Sequence, residues 1–229
     1  MKESDKTSSP SIYNTLLQLP LIKGVSPSRL TEMVGRLKIH FFKATDGESV
    51  VSAGSECKSL IFVLSGSVRL TMQCGNGDFA ISYTLEAPQV ISPDCLFGID
   101  THYPCGVTAI GDAGLMEIRK EDFRQMMALD PVFLFNYLNS ICTGSQRGRS
   151  GLASIAAGSA SERLAYWITT LTQPGSRNIE ITSRTRELHS IVGLTPTELA
   201  EAAGRLHNRA TMPDSRTLLV SSRDDLGSV

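Results

Sequence analysis

The chain has 229 residues, a formal net charge of −1, 41% hydrophobic residues and 20% charged residues. These values are typical of a globular protein that buries a core, arranged as one large or two modest domains. They exclude a global basic field that would attract nucleic acid, so any DNA binding has to depend on a local patch. No stretch approaches the ~18 consecutive apolar residues of a membrane helix. The polar N-terminus is not a signal peptide, so we expect a cytoplasmic protein with no membrane partner and a disordered tail over residues 1–14.

Cysteine usage argues against several site classes. The five cysteines form no C-x-x-C pair and are Cys57, Cys74, Cys95, Cys105 and Cys142. This pattern disfavours a zinc site, an iron–sulfur cluster and a disulfide framework, so we expect no metal and no cofactor. One interpretation makes Cys95 and Cys105 a redox pair and His102 a heme or metal ligand. The preferred interpretation is that the cysteines are small buried hydrophobic residues and that His102 is a surface histidine or a hydrogen-bonded histidine in the core. No nucleophile-elbow or Walker motif occurs, so we expect no enzyme.

The first half of the chain predicts two short helices followed by β-structure. Residues 16–37 are predicted to be helix in two pieces, with Ser26-Pro27 as a cap and first-turn proline. From residue 38, short β-branched and aromatic runs alternate with glycines, which predicts a meander of antiparallel strands. Gly66 and residues 111–114 mark expected turns, and residues 75–78 an expected hairpin.

The spacing of these glycines carries a family resemblance. Asp46-Gly47-Glu48, Gly54 and residues 64–68 resemble the β-roll of the cyclic nucleotide-binding domain found in the CRP/FNR superfamily of bacterial regulators. The resemblance covers residues 15–150 and, more loosely, the rest of the chain. It implies an α+β fold: an antiparallel β-roll of the double-stranded jelly-roll type with flanking helices, a long connecting helix and a C-terminal winged helix-turn-helix. The implied domains are a sensor roll over residues 15–130, a dimerisation helix and linker over 131–158, and a DNA-binding-like domain over 159–229.

The segment that resembles the family's phosphate cassette has lost its ionic residues. Phe97-Gly98 matches, but Ile99 stands where the family has Glu, and Pro104-Cys105-Gly106 replaces the Arg-bearing segment; no Arg occurs between Arg69 and Arg119. A buried phosphate needs a charge-assisted partner, usually a bidentate Arg. We therefore expect neither cyclic AMP nor cyclic GMP, and either an unknown small-molecule effector or none. The candidate pocket residues are Leu96, Phe97, Gly98, Ile99, His102, Cys105 and Thr108.

A helix capped by Asp130 and Pro131 is expected next. By resemblance it is the seam of a homodimer, with interface residues Phe133, Leu134, Tyr137, Leu138 and Ile141; the alternative is a stripe that packs on its own roll. Gly144, Gly148, Gly151 and Gly158 each cost about 1 kcal/mol in a helix. Residues 143–159 are therefore expected to be a flexible linker or a frayed helix that marks the domain boundary.

The C-terminal part resembles a winged helix-turn-helix. Residues 161–171 predict its opening helix, residues 185–195 its first helix and turn, and Thr195 with Glu198 a capping box for the helix at the recognition position. Positions where family readers carry Arg and Glu hold Pro196, Thr197 and Glu201. Residues 182–229 contain six Arg and six acidic residues, so the region is neutral. The DNA-binding candidates are Arg186, Thr195, Thr197, Glu201, Arg205, Asn208, Arg209 and Arg216.

The sequence supports two functions of different classes. The first is a homodimeric CRP/FNR-type DNA-binding transcriptional regulator, with RNA polymerase as a further implied partner. The second is a ligand-binding or protein-interaction module that does not bind DNA and keeps a degenerate helix-turn-helix. A cyclic-nucleotide receptor with an atypical cassette is a third interpretation, but it lacks a partner for the phosphate.

Overall fold

The computed structural model describes residues 12–206 and 210–226. The helices are α1 (Ile12–Gln18), α2 (Pro27–Arg36), α3 (Lys120–Leu129), α4 (Pro131–Ala157), α5 (Ala160–Leu171), α6 (Leu188–Ile191) and α7 (Pro196–Arg205). The strands are β1 (Ile39–Ala44), β2 (Ser49–Val51), β3 (Ser59–Cys74), β4 (Phe79–Glu86), β5 (Gln89–Ile91), β6 (Gly106–Arg119), β7 (Arg177–Ser183), β8 (Ala210–Asp214) and β9 (Thr217–Ser222). Helix α1 begins inside the tail expected over residues 1–14, because Leu16 packs into the core; residues 1–11 lie outside the described part.

Two long strands form the centre of the roll. β3 pairs with β4 on one side and with β6 on the other, and β1 and β2 pair with β6. Alternating side chains of β3, such as Val68 and Leu70, point to the core, while Arg69 points to solvent. This alternation is the signature of a sheet that is buried on one face.

The turns expected at Gly66 and at residues 111–114 are instead bends within continuous strands. Gly66 has a φ of +74° and packs against the backbone carbonyl of Asp112, and the β3–β6 register shifts around Ser65. A left-handed glycine with no Cβ lets two backbones approach closely, so the strands bend together without separating. Gly66 was predicted to mark a turn between two strands, and in the structure it marks a bulge inside one strand.

The prediction of a flexible linker or a frayed helix over residues 143–159 is wrong. Helix α4 runs without interruption for 27 residues and ends at Gly158, whose N–H bonds to the carbonyl of Ser154. Gly151 is buried on α5, where a Cβ would lie 2.7 Å from Thr170 Oγ1. Packing of α4 on α5 therefore overrides the low helix propensity of glycine.

The two halves of the chain share one sheet. Strand β4 of the roll pairs with β7, with Ile81 opposite Ile181 and Ser82 opposite Glu180. Within the described residues, the strand order is β1-β6-β3-β4-β7-β9-β8, with β2 on β6 and β5 on β3. The sequence predicted two domains but did not predict that their sheets would join.

Side-chain contacts reinforce this junction. Gln173 Nε2 donates to the carbonyl of Val90 (2.9 Å), and the Ser92 N–H donates to Gln173 Oε1 (2.8 Å). The ring of Phe79 packs against Trp167 with centroids 6.1 Å apart. The roll is thereby attached to the C-terminal part through β4 and β5, in addition to the connection through α4.

The C-terminal part packs three helices on β7, β9 and β8. Ile179, Ile181 and Val220 of the sheet are buried with Leu164 and Ile168 of α5. Helix α6 has only four residues, shorter than the helix expected within residues 185–195. No helix of the part that the structure describes is long and apolar enough to span a membrane.

Candidate functional site

The segment at the cassette position does not form one pocket. Leu96 and Cys105 are buried, Thr108 is half-buried in β6, and His102 is exposed. Gly98 has a φ of +123°, and the Ile99 side chain is fully exposed (109%). The candidate pocket residues thus divide between the core and the surface.

Phe97 belongs to an aromatic cluster. Its ring lies 6.3 Å from Phe123 and 6.0 Å from Tyr137, measured between centroids, and Lys120 Nζ lies 4.9 Å above it. Tyr137 OH donates to the carbonyl of Pro93 (3.1 Å). The cluster attaches α4 to the cassette segment, so these aromatic rings serve packing.

His102 is held by a neighbouring carboxylate. Its Nδ1 lies 2.8 Å from Asp100 Oδ1, and its backbone N–H donates to the same oxygen. These bonds lower the pKa of Asp100. Among the residues described, no group of three or more His, Cys, Asp or Glu side chains has the geometry to hold a metal ion.

Three thiols are buried at this end of the roll. Cys57 and Cys105 are each at most 4% exposed and Cys95 is 8% exposed, and all three are free. Burial raises the pKa of Cys95 to about 12 and raises those of Cys57 and Cys105. Because the thiolate is the reactive form, burial disfavours reaction of these thiols at neutral pH.

The seam predicted on α4 divides between two faces. Phe133 (0% exposed) and Tyr137 (6%) pack on Phe123 in the roll's own core, so they are not available to a second copy. Leu134 and Ile141 are half-buried, and Leu138 is exposed. The exposed apolar face continues through residues that the sequence analysis missed, namely Phe135, Leu152 and Ile155.

Helix α7 presents a polar outer face. Thr195 Oγ1 accepts from the Glu198 N–H (3.2 Å), and Glu198 Oε2 accepts from the Thr195 N–H (2.8 Å), which lowers the pKa of Glu198. Leu199 and Ala203 face inward, while Thr197 and Glu201 are exposed. The predicted capping box is therefore confirmed, and the helix start is fixed by local bonds.

The arginine candidates are distributed around α7 and the β8–β9 hairpin. Arg205 pairs with Glu201 at 3.9 Å, and Arg186 is exposed before α6. Arg216 lies in the β8–β9 turn and donates to the carbonyl of Arg184 (2.7 Å). Asn208 and Arg209 lie outside the described residues.

A polar groove lies on the outer face of the shared sheet. It has a volume of about 280 Å³ and is lined by Arg69, Thr71, Ala80, Ile81, Ser82, Glu180 and Thr182. The groove crosses from β3 through β4 to β7. None of the cassette residues lines it, and no sequence motif marked it.

Comparison with known proteins identifies the N-terminal architecture. Residues 41–130 match the family model of the cyclic nucleotide-binding domain. The catabolite activator protein of Thermus thermophilus superposes with a TM-score of 0.53 over 90% of this chain and 96% of its own, at 17% identity. Residues 41–130 have the fold of the cyclic nucleotide-binding domain, and the chain shares its overall fold with that activator protein. The comparison with curated proteins found no match.

Two further structures match part of this chain with lower scores. A transcriptional regulator from Thermotoga maritima has a TM-score of 0.47 and 19% identity, covering 56% of this chain and 97% of its own. A cAMP-binding acyltransferase from Mycobacterium smegmatis has a TM-score of 0.46 and 19% identity, covering 63% of this chain and 41% of its own.

Proposed function

We propose that this chain is a homodimeric, DNA-binding transcriptional regulator whose sensor roll does not use a cyclic nucleotide. The observation that carries the proposal is the unit formed by α6, α7 and the β8–β9 hairpin, attached to a CRP/FNR-superfamily roll. The capped start of α7 leaves Thr197 and Glu201 exposed on its outer face, and this supports the proposal that α7 enters the major groove. Arg186, Arg205 and Arg216 surround it as phosphate-contact candidates.

The sensor is proposed to work without the cyclic phosphate. Residues 96–108 contain no Arg or Lys, and Ile99 is turned to solvent. A cyclic nucleotide would therefore meet no charge-assisted partner in this segment. In thermal unfolding, millimolar cyclic AMP or cyclic GMP should cause no saturable rise in Tm. A saturable rise would instead support the interpretation as a cyclic-nucleotide receptor.

The DNA test is selection from a random-sequence duplex library by the purified chain at about 150 mM salt, followed by sequencing. We expect a two-fold symmetric site with half-sites about 34 Å apart. Arg186→Ala and Arg205→Ala should each weaken binding and reduce the salt slope by roughly one unit. Arg124→Ala, at an exposed arginine of α3, is the matched control and should leave binding unchanged.

The alternative is a module that binds a protein partner through the same surface. It is favoured by Glu198 and Glu201 on α7, where a groove-reading helix commonly presents Arg. Selection that enriches no sequence in the wild type, with a correctly folded chain, would replace the regulator with this alternative.

Homodimerisation is proposed through the exposed face of α4. Phe135 and Leu138 lie on this face, and Cys142 follows one turn later on the same side and is exposed. In a parallel two-fold helix pair, a seam residue faces its own copy. Mild oxidation should therefore give a covalent dimer in the wild type and in Cys74→Ser, but not in Cys142→Ser. Leu138→Asp should shift the mass in light scattering to that of a monomer, and an unchanged dimer would exclude this seam.

A further inference from the structure

The polar groove on the outer face of the shared sheet contains two opposite charges that do not pair with each other. Arg69 of β3 and Glu180 of β7 both line the groove, and both side chains are exposed. Within residues 12–206 and 210–226, neither side chain forms an ion pair or a hydrogen bond. A cation and a carboxylate that share one groove without meeting are both available to a ligand that carries the two complementary charges.

Three hydroxyl groups lie between and beside these charges. Thr71, Ser82 and Thr182 line the groove and are half-buried, and their hydroxyls have no hydrogen-bond partner in the described parts of the chain. Thr71 lies opposite Ser82, and Ser82 lies opposite Glu180, so these three residues form one row across three strands. Since neighbouring strands are about 4.8 Å apart, this row spans about 10 Å between the outer Cα atoms. Each hydroxyl can donate or accept a hydrogen bond along it.

A bulge in β7 lies beside the groove. Ser82 pairs with Glu180 but Thr84 pairs with Arg177, so β7 has one extra residue between these two pairs. The bulge includes Asn178, whose φ is +47°, a left-handed conformation that asparagine tolerates better than most residues. Bulges increase the local twist and redirect side chains, and they are frequent next to binding sites.

The charge of the groove lining is balanced. Arg177, at the bulge, pairs with Glu86 at 3.5 Å, so this nearby cation already has a partner. The lining itself contains one cation, Arg69, and one carboxylate, Glu180. A phosphate or another multiply charged anion would meet the like charge of Glu180, and a simple cation would meet that of Arg69. The groove therefore favours a ligand with one positive and one negative group.

We infer that this groove binds a small zwitterion of the amino-acid class, with its carboxylate on Arg69 and its ammonium group on Glu180. The guanidinium fork of Arg69 matches the two oxygens of a carboxylate, and Glu180 accepts from an ammonium group. The hydroxyls of Thr71 and Ser82 bond to either group. The groove volume of about 280 Å³ is below the roughly 300–1,000 Å³ of pockets that take drug-sized ligands, so the ligand is smaller than these.

The position of the groove gives this ligand a regulatory consequence. Arg69 lies on the roll and Glu180 on the strand that begins the C-terminal part, and the groove crosses the β4–β7 pairing between them. A ligand that contacts both residues therefore stabilises the arrangement in which the two sheets are joined. Its role as an effector of DNA binding rests on the proposed function, whereas the binding itself does not.

The experiment is a thermal-unfolding titration of the full chain with glycine, β-alanine, γ-aminobutyrate and δ-aminovalerate. These probes carry the same two charges at increasing separation. Sodium acetate and methylammonium chloride, at equal ionic strength, carry one charge each. We expect a saturable rise in Tm that depends on the length of the zwitterion, because both charges have to be met at once, and no such rise with the two singly charged probes. A rise that does not saturate is the general effect of an excluded solute.

Matched variants separate ligand binding from stability. Arg69→Gln and Glu180→Gln should each weaken the apparent affinity at least tenfold and keep the wild-type Tm without ligand, because both side chains are exposed and unpaired in the described structure. Arg124→Gln and Glu121→Gln make the same changes at exposed positions of α3 and should keep the wild-type response.

Three outcomes would overturn the inference. The first is that no probe of the series gives a saturable rise in the wild type, or that all four give the same rise. The second is that acetate or methylammonium gives a rise equal to that of the zwitterions. The third is that Arg69→Gln responds like Arg124→Gln, or Glu180→Gln like Glu121→Gln. None of these readouts involves DNA, so failure of the DNA proposal and failure of this site are distinguishable.

Discussion

At the scale of single residues, the buried thiols give a pH dependence of stability. The folded chain holds the Cys95 proton more tightly than the unfolded chain, because burial raises the pKa to about 12. The contribution of this thiol to stability is therefore complete below a pH of about 8.5 and is lost as the pH rises from there towards about 12.

We predict that the free energy of unfolding, measured by urea denaturation under reducing conditions, falls by about 1–2 kcal/mol from this thiol between pH 8 and pH 10. Cys95→Ala should reduce that fall, although its stability at pH 8 will be lower because of the cavity. Cys74→Ala, at an exposed cysteine, should keep the wild-type profile. An unchanged pH profile in Cys95→Ala would contradict the assignment.

The site predictions that rest on short-range hydrogen bonds were correct, whereas those that depend on long-range folding were not. Thr195 and Glu198 form the predicted capping box because its bonds join residues three apart and need no distant partner. Ile99 and Cys105, grouped in sequence as pocket residues, end on the surface and in the core respectively. Their positions depend on how the cassette segment folds back onto β3 and α3, which local spacing does not encode.

At the scale of secondary-structure elements, the glycines of α4 separate the effect of helix propensity on stability from the effect of helix packing. A Cβ at Gly144 or Gly148 would meet no atom within 4 Å, whereas one at Gly151 would press on Thr170. The first two positions have room for a side chain and the third does not, although all three are helical.

Gly144→Ala and Gly148→Ala should each stabilise the chain by about 0.5–1 kcal/mol, because alanine is the better helix former. Gly151→Ala should destabilise it by about 1 kcal/mol or more, because α4 and α5 would have to separate slightly. The measurement is the midpoint and slope of urea unfolding. Destabilisation by all three changes would show that α4 is less regular than the structure indicates.

At the scale of the whole molecule, the shared sheet predicts cooperative unfolding. The β4–β7 pairing and the bonds of Gln173 join the two halves over buried residues such as Ile81 and Ile181. Domains connected only by a helix would be free to unfold separately, whereas a common sheet couples them.

We expect the unfolding curves from Trp167 fluorescence and from far-UV circular dichroism to coincide. Trp167 is the single tryptophan and packs against Phe79 at the junction. Gln173→Ala should lower stability by about 1–2 kcal/mol, because it leaves the buried Ser92 N–H without its partner. Gln125→Ala makes the same change at an exposed glutamine of α3 and is its control. Two separate transitions in the wild type would show that the halves are independent.

The sequence by itself determined the order of helices and strands, the caps at Ser26, Asp130 and Thr195, and the CRP/FNR-type roll, because these depend on local periodicity, turn residues and short-range hydrogen bonds. Only the tertiary structure decided that Gly66 bends one strand and that α4 continues through its glycines. It also decided that Phe133 faces inward and that β4 pairs with β7. Each of these is settled by contacts between residues distant in sequence, where packing and burial outweigh local preference.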